Sequence, residues 1–191
     1  MEPLATVRCL MPASLDPPLG PGDHVDGPDD APLELVMYGD FQCPYCAAAQ
    51  SIIRRVRERL DGRLRFAFRH MPLPVHPDAQ NAAEAVEAAA AQDAFWPMHD
   101  ELYAARGRLS VDDLAGHANA IGIDGERVRR EIIAGAHAEH IARDEASARA
   151  AGITGTPAFF VNGVLHEGSF DAGSLVEALE ATAPEPAREV R

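Results

Sequence analysis

At 191 residues, with 47% hydrophobic and 25% charged residues, the chain has the size and composition of one well-cored globular domain. Its net charge of −13 argues against nucleic acid as a partner, because a phosphate backbone would be repelled. All 17 basic residues are arginine, so no lysine is present to tune a thiol or to form a Schiff base.

Residues 1–31 hold six of the fifteen prolines and several glycines, which predicts a disordered leader. Met1 to Gly20 lacks the basic start and apolar stretch of a secretory signal. No segment approaches the roughly 18 apolar residues of a membrane span. The expectation is therefore a soluble cytoplasmic protein with no membrane partner. A reducing compartment disfavours a structural disulfide and leaves room for a reactive dithiol. Cys9, within the leader, reads as an incidental exposed thiol.

Order is expected from Pro32. Leu35-Val36-Met37-Tyr38 is a short unbroken apolar run, the pattern of a strand buried on both faces. Gly39 and Asp40 interrupt it, and a helix then opens at Cys43-Pro44-Tyr45-Cys46. Proline at the first helical position loses no hydrogen bond, since that N–H has no partner there. Two cysteines three residues apart in a first helical turn lie within reach of a disulfide. The unpaired N–H groups and dipole at the helix start favour an anion at Cys43, and the thiolate is the form that attacks disulfides. Cys43 and Cys46 are thus the candidate catalytic residues.

The first helix is expected to reach about Leu60, with Ile52, Ile53, Val56 and Leu60 as its apolar stripe and Arg54, Arg55, Arg57 and Arg59 on a solvated face. Asp61-Gly62 ends it. Leu64, Phe66 and Phe68 alternate with Arg63, Arg65 and Arg69, which predicts a strand with one covered face. Strand, helix, strand at this spacing is a βαβ unit with parallel strands and a right-handed crossover.

Residues 77–151 show only helical patterns, with Asp93 and Ser110 as expected caps and Asp124 and His137 near two further starts. Phe95, Trp96 and Tyr103 are expected in the core, and His99 as a packed, hydrogen-bonded side chain. Asn162-Gly163, between Ala158–Val161 and Val164–His166, is a strong hairpin signal. An amphipathic helix carrying Leu175, Val176 and Leu179 follows Asp171.

This order, together with Gly39-Asp40-Phe41-Gln42-Cys43-Pro44-Tyr45-Cys46 and the stretch Gly152-Ile153-Thr154-Gly155-Thr156-Pro157, resembles the DsbA-like branch of the thioredoxin-superfamily disulfide oxidoreductases, including its cytoplasmic members. The resemblance spans about residues 24–182. It implies an α/β thioredoxin-like fold (βαβ … ββα) with an all-helical insertion. The implied layout is a leader (1–31), a thioredoxin-like domain (32–183, formed by 32–76 and 152–183) with the insertion at 77–151, and a tail (184–191).

By the same resemblance Cys43 is the exposed nucleophile and Cys46 the resolving cysteine. Pro157 is the proline held cis beside the sulfur, and Thr156 offers its backbone to an extended substrate. Pro44 and Tyr45 tune the site. Some relatives carry an acid six positions before the first cysteine, where this chain has Met37. Asp40 is the nearest other acid, and a loop acid usually reads as a solvated turn residue. Strongly oxidising relatives have a histidine between the cysteines, whereas Tyr45 supplies no positive charge. The reduction potential is therefore expected between the extremes of the superfamily, roughly −270 to −120 mV.

The expected function is thiol–disulfide exchange with protein or small-molecule thiols and disulfides, in concert with an unidentified redox partner. No cofactor and no metal are expected. His70, His76, His137 and His140 are present, but their spacing does not demand a mixed site with the cysteines. Two other classes stay open: a thiol-cofactor-dependent transferase or isomerase on the same fold, and a non-catalytic metal- or client-binding chaperone module.

Overall fold

The computed structural model describes residues 12–105 and 107–183; Cys9 lies outside them. Its five-stranded sheet runs in the order β1 (His24–Asp26), β3 (Leu64–His70), β2 (Leu33–Gly39), β4 (Ala158–Val161), β5 (Val164–Leu165). Strands β2 and β3 are parallel, in register from Leu33 opposite Leu64 to Gly39 opposite His70, and α1 (Pro44–Leu60) connects them. Strand β4 runs antiparallel to β2, and β1 antiparallel to β3. Helices α2 (Ala79–Ala90), α3 (Phe95–Ala104), α4 (Val111–Ala120), α5 (Gly125–Ala134) and α6 (Ala138–Ala150) separate β3 from β4, and α7 (Ala172–Ala181) closes the chain.

The unbroken apolar run of β2 has the expected cause. Leu33, Leu35 and Met37 enter a core shared with α1, α7 and α2 to α5, while Val36 and Tyr38 enter a second core with Leu15, Ala148, Ile153 and Phe160. Helix α1 buries Cys46, Ala49, Ile53, Val56 and Leu60 and leaves Arg54, Arg55, Arg57 and Arg59 exposed. Asn162 and Gly163 both have positive φ, 47° and 80°, as a two-residue type I′ turn requires. Asn162 does more than turn. Its Oδ1 accepts from the Glu34 N–H at 2.8 Å and its Nδ2 donates to Leu179 O at 3.0 Å, joining β2, the hairpin and α7.

Three expectations need correction. Residues 12–31 are not a free leader: β1 pairs with β3, Ser14 bridges Val164, and Leu15 is buried. The family of prolines and glycines here shapes a strap over the second core, where Leu15 supplies the apolar anchor. Strand β3 is covered on both faces, with Ala67 fully buried and Arg69 only 2% exposed. The Arg69 guanidinium donates to Asp23 Oδ1 at 2.7 Å, Pro17 O at 2.9 Å and the Tyr38 hydroxyl at 3.0 Å, so a charge that reads as solvated instead clamps the strap. Asp93 does not cap α3, whose N-cap is Ala94. Asp93 has φ 59° and closes the turn after α2, with its N–H bonded to Ala90 O and that of Ala94 to Ala89 O.

Candidate active site

Parallel pairing sends β2 and β3 toward the same edge, so the loops after both strands meet there. At Gly39, the last residue of β2, a Cβ would lie 2.4 Å from the Phe68 ring, so a side chain there would have to push the ring aside. Its carbonyl accepts from the Met71 N–H at 2.9 Å. The next residue, Asp40, is 1% exposed. Its carboxylate accepts from the backbone N–H of Gln42 at 2.7 Å and of Leu73 at 2.8 Å, and pairs with His76 Nδ1 at 2.7 Å. Gln42 and Asp78 are doubly linked, through Gln42 Nε2 to Asp78 Oδ2 at 3.1 Å and the Asp78 N–H to Gln42 Oε1 at 2.8 Å. The loop that presents the cysteines is therefore pinned from both sides.

Cys43 is the N-cap of α1, extended at φ −74° and ψ 121°, with Pro44 at the first helical position. Its Sγ donates to Thr156 O at 3.4 Å. The Thr156–Pro157 peptide is cis. Pro44, Tyr45, Thr154 and Gly155 around this contact are exposed, Tyr45 by 68%, while Thr156 and Pro157 are half-buried. Cys43 itself is only 3% exposed, which corrects the expectation of an open nucleophile. The Thr156 carbonyl lies against the sulfur.

Cys46 sits one turn deeper and is fully buried. The two thiols are not bonded to each other. Burial pushes the Cys46 thiol up to about 12, only partly offset by the Thr156 hydroxyl and the Asp40 backbone. That hydroxyl is itself buried and makes no hydrogen bond of normal geometry. Tyr103 forms the back wall: its hydroxyl donates to Asp40 O at 3.4 Å beside the Cys46 thiol. Burial, then the neighbouring Cys46 and Asp40, hold the phenol in its protonated form well above the usual range. A cleft of about 650 Å³ between α1 and α3 is lined by Gln50, Arg54, Trp96, His99 and Tyr103, but neither cysteine lines it.

The structure brings Cys43, Cys46, Pro44, Tyr45, Thr156 and Pro157 together at one edge of the sheet. Met37 stands in the core below them, where it accepts from Gln50 Nε2 at 3.9 Å. Asp40 departs from its expected place as a solvated turn residue. Its partners Leu73 and His76 arrive only after β3 has been laid down, and no local pattern announces them. Tyr103 was expected in the core and is there, yet its hydroxyl belongs to the site. His76 and His137 are paired with Asp40 and Glu131. His99 is 2% exposed, with Nδ1 on Asp100 and Nε2 unpartnered.

The family model described as Thioredoxin matches residues 20–181. The chain belongs to the thioredoxin family. Its fold is DsbA-like: the oxidised BdbD of Bacillus subtilis superposes with a TM-score of 0.79 at 23% identity, covering 90% of this chain and 95% of that one. A thioredoxin-like oxidoreductase from Silicibacter pomeroyi superposes with a TM-score of 0.77 at 27% identity, covering 85% and 92%. By sequence, the chain is 46% identical over 160 residues to a protein named Na(+)/H(+) antiporter NhaA 1 from Salinispora arenicola. That match covers 83% of this chain but 24% of the antiporter-named protein. The chain thus spans about a quarter of the length of the curated relatives it matches. No helix among the described residues is long and apolar enough to cross a membrane.

Proposed function

We propose that the protein is a thiol–disulfide oxidoreductase that exchanges disulfides with protein or small-molecule partners through Cys43 and Cys46. The observation that carries this reading is the asymmetry of the two thiols. Cys43 caps the helix beside the exposed Thr154–Gly155 edge, whereas Cys46 is sealed and held protonated behind it. In this reading Cys43 meets the partner and Cys46 finishes the exchange.

In the reducing direction, Cys43 as thiolate attacks one sulfur of the partner disulfide, and the other sulfur leaves as a thiolate. Cys46 then attacks the Cys43 sulfur, the partner's second sulfur departs, and a Cys43–Cys46 disulfide remains. Two electrons have passed from the dithiol to the partner, and the Cys46 proton goes to a departing sulfur. Oxidation of partners is the same path reversed. Tyr103, protonated, does not serve as the base, and Met37 offers none. An extended partner segment would lie along Thr154–Thr156, whose backbone N–H groups make no hydrogen bond among the described residues. The exchange requires no organic cofactor, since the electrons travel in the dithiol.

Replacing Cys46 with serine should trap partners as mixed disulfides on Cys43, visible as adducts cleaved by dithiothreitol. With Cys9 also replaced by serine, Cys43→Ser should form none and should lose insulin reduction. Adducts that form equally on Cys43→Ser would assign the nucleophile wrongly.

A further inference from the structure

Sharing no residue with the dithiol, a second cluster of chemistry-bearing side chains joins four elements distant in sequence. His24 of β1, His70 at the end of β3 and His140 of α6 all converge on Glu87 of α2. His24 Nε2 and His70 Nε2 both lie on Glu87 Oε1, at 2.8 and 2.7 Å. The second oxygen, Oε2, faces His140 Nδ1 at 3.5 Å without a hydrogen bond. The other His140 nitrogen, Nε2, stands 3.8 Å from Asp144 Oδ2, again without one. The His140 ring therefore makes no hydrogen bond among the described residues. Asp144 is already engaged, since its Oδ2 accepts from the His70 N–H at 2.8 Å.

We propose that His24, Glu87 and His140 form a binding site for a divalent transition-metal ion of the zinc class. One donor atom from each lies within 4.8 Å of the others. Two ligands of a tetrahedral zinc ion with bonds of about 2.0–2.1 Å stand about 3.3 Å apart, close to the separation of Glu87 Oε2 and His140 Nδ1. Two imidazoles and one carboxylate suit zinc, nickel or copper and not the all-oxygen preference of calcium or magnesium. The surroundings are those of a held ligand set. The His24 ring is clamped by stacking on Phe95 at 3.6 Å and lies nearly parallel to His140 at 5.5 Å. His70, fully buried, orients the carboxylate as an outer partner. The site borders solvent on the histidine side: the His24 and His140 side chains are about one-fifth exposed, and His140 lines a cavity of about 560 Å³. To bind, His24 presents its Nε2 lone pair and carries its proton on Nδ1, so no group is oxidised or reduced. The ion would tie the N-terminal strap, α2 and α6 into one unit.

The test uses the full chain with Cys9, Cys43 and Cys46 all replaced by serine, so that no thiol competes for metal. Zinc titration by calorimetry should give one ion per chain and raise Tm by about 5–10 °C at a hundredfold excess over Kd. His140→Ala, which removes no hydrogen bond, and separately His24→Gln should each weaken binding at least tenfold. Calcium should produce no shift. Absence of stoichiometric zinc binding overturns the site, and so does binding that survives both substitutions. An equal response to calcium overturns the ligand class.

Discussion

Cys43 and Cys46 are the same side chain about one helical turn apart, Cys43 capping the helix against the Thr156 carbonyl and Cys46 sealed beneath it. With Cys46 raised from 9.0 to about 12, its thiolate at pH 8 is about a thousandfold scarcer than that of an ordinary thiol. Iodoacetamide should therefore label Cys43 in the folded reduced protein and leave Cys46 unmodified until denaturant is added, which peptide mass mapping reads directly. The same shift has a stability consequence of definite sign. A thiol whose folded pKa lies above its unfolded one stabilises the protein fully below pH 9 and loses that contribution as pH rises toward 12. Relative to Cys46→Ala, the reduced protein should lose about 2 kcal/mol between pH 8 and 10.5 by urea denaturation. A parallel pH dependence in both proteins would show that Cys46 ionises as freely as in the unfolded chain.

At the scale of elements, two contacts decide whether the site is held in place. Gly39 lets β2 end against the Phe68 ring, and a methyl group there has 2.4 Å where ordinary contact needs about 3.5 Å or more. Gly39→Ala should cost about 1–3 kcal/mol and slow insulin reduction, because the Asp40 loop follows directly. The Arg69 clamp is the second. Asp23→Asn removes the carboxylate that is hydrogen-bonded to the buried guanidinium, and should cost about 3 kcal/mol in urea midpoint experiments. Arg69→Met together with Asp23→Asn should recover part of that loss, since the buried guanidinium that lost its partner is then gone.

Across the whole molecule, two apolar cores sandwich one sheet, and the N-terminal strap covers part of the second. Leu15 is buried there with Val36, Tyr38 and Phe160, and residues 13–15 bond to the β5 edge through Leu15 N–H to Gly163 O and Leu165 N–H to Ala13 O, both 2.8 Å. A chain beginning at residue 32 would lose β1, Leu15 and every partner of Arg69 except Tyr38 and Ser147. Burying one leucine is worth about 1.5–3 kcal/mol, and an uncompensated buried charge adds more. Such a truncation should drop Tm by 10 °C or more by about the usual scaling for this size, and should expose surface that binds a hydrophobic dye. An unchanged Tm would mean that the strap is dispensable for the fold.

Local pattern alone was enough to place the βαβ unit, the helix opening at Cys43, the Asn162-Gly163 turn and the helical run between the strands. Each rests on periodicity or turn chemistry confined to a few neighbouring residues. The Cys43–Cys46 spacing was legible for the same reason, whereas Thr156-Pro157 drew notice only through the resemblance to a known family. Only the folded arrangement could reveal that Asp40 is an interior anchor, that Tyr103 walls the dithiol, that Cys43 is screened by a carbonyl, or that Arg69 is buried. It alone brings His24, Glu87 and His140 together across more than a hundred residues. These depend on which loops the parallel strands carry to a shared edge and on what packs over each face. Burial and long-range pairing are properties of the assembled sheet, and no window of the chain contains them.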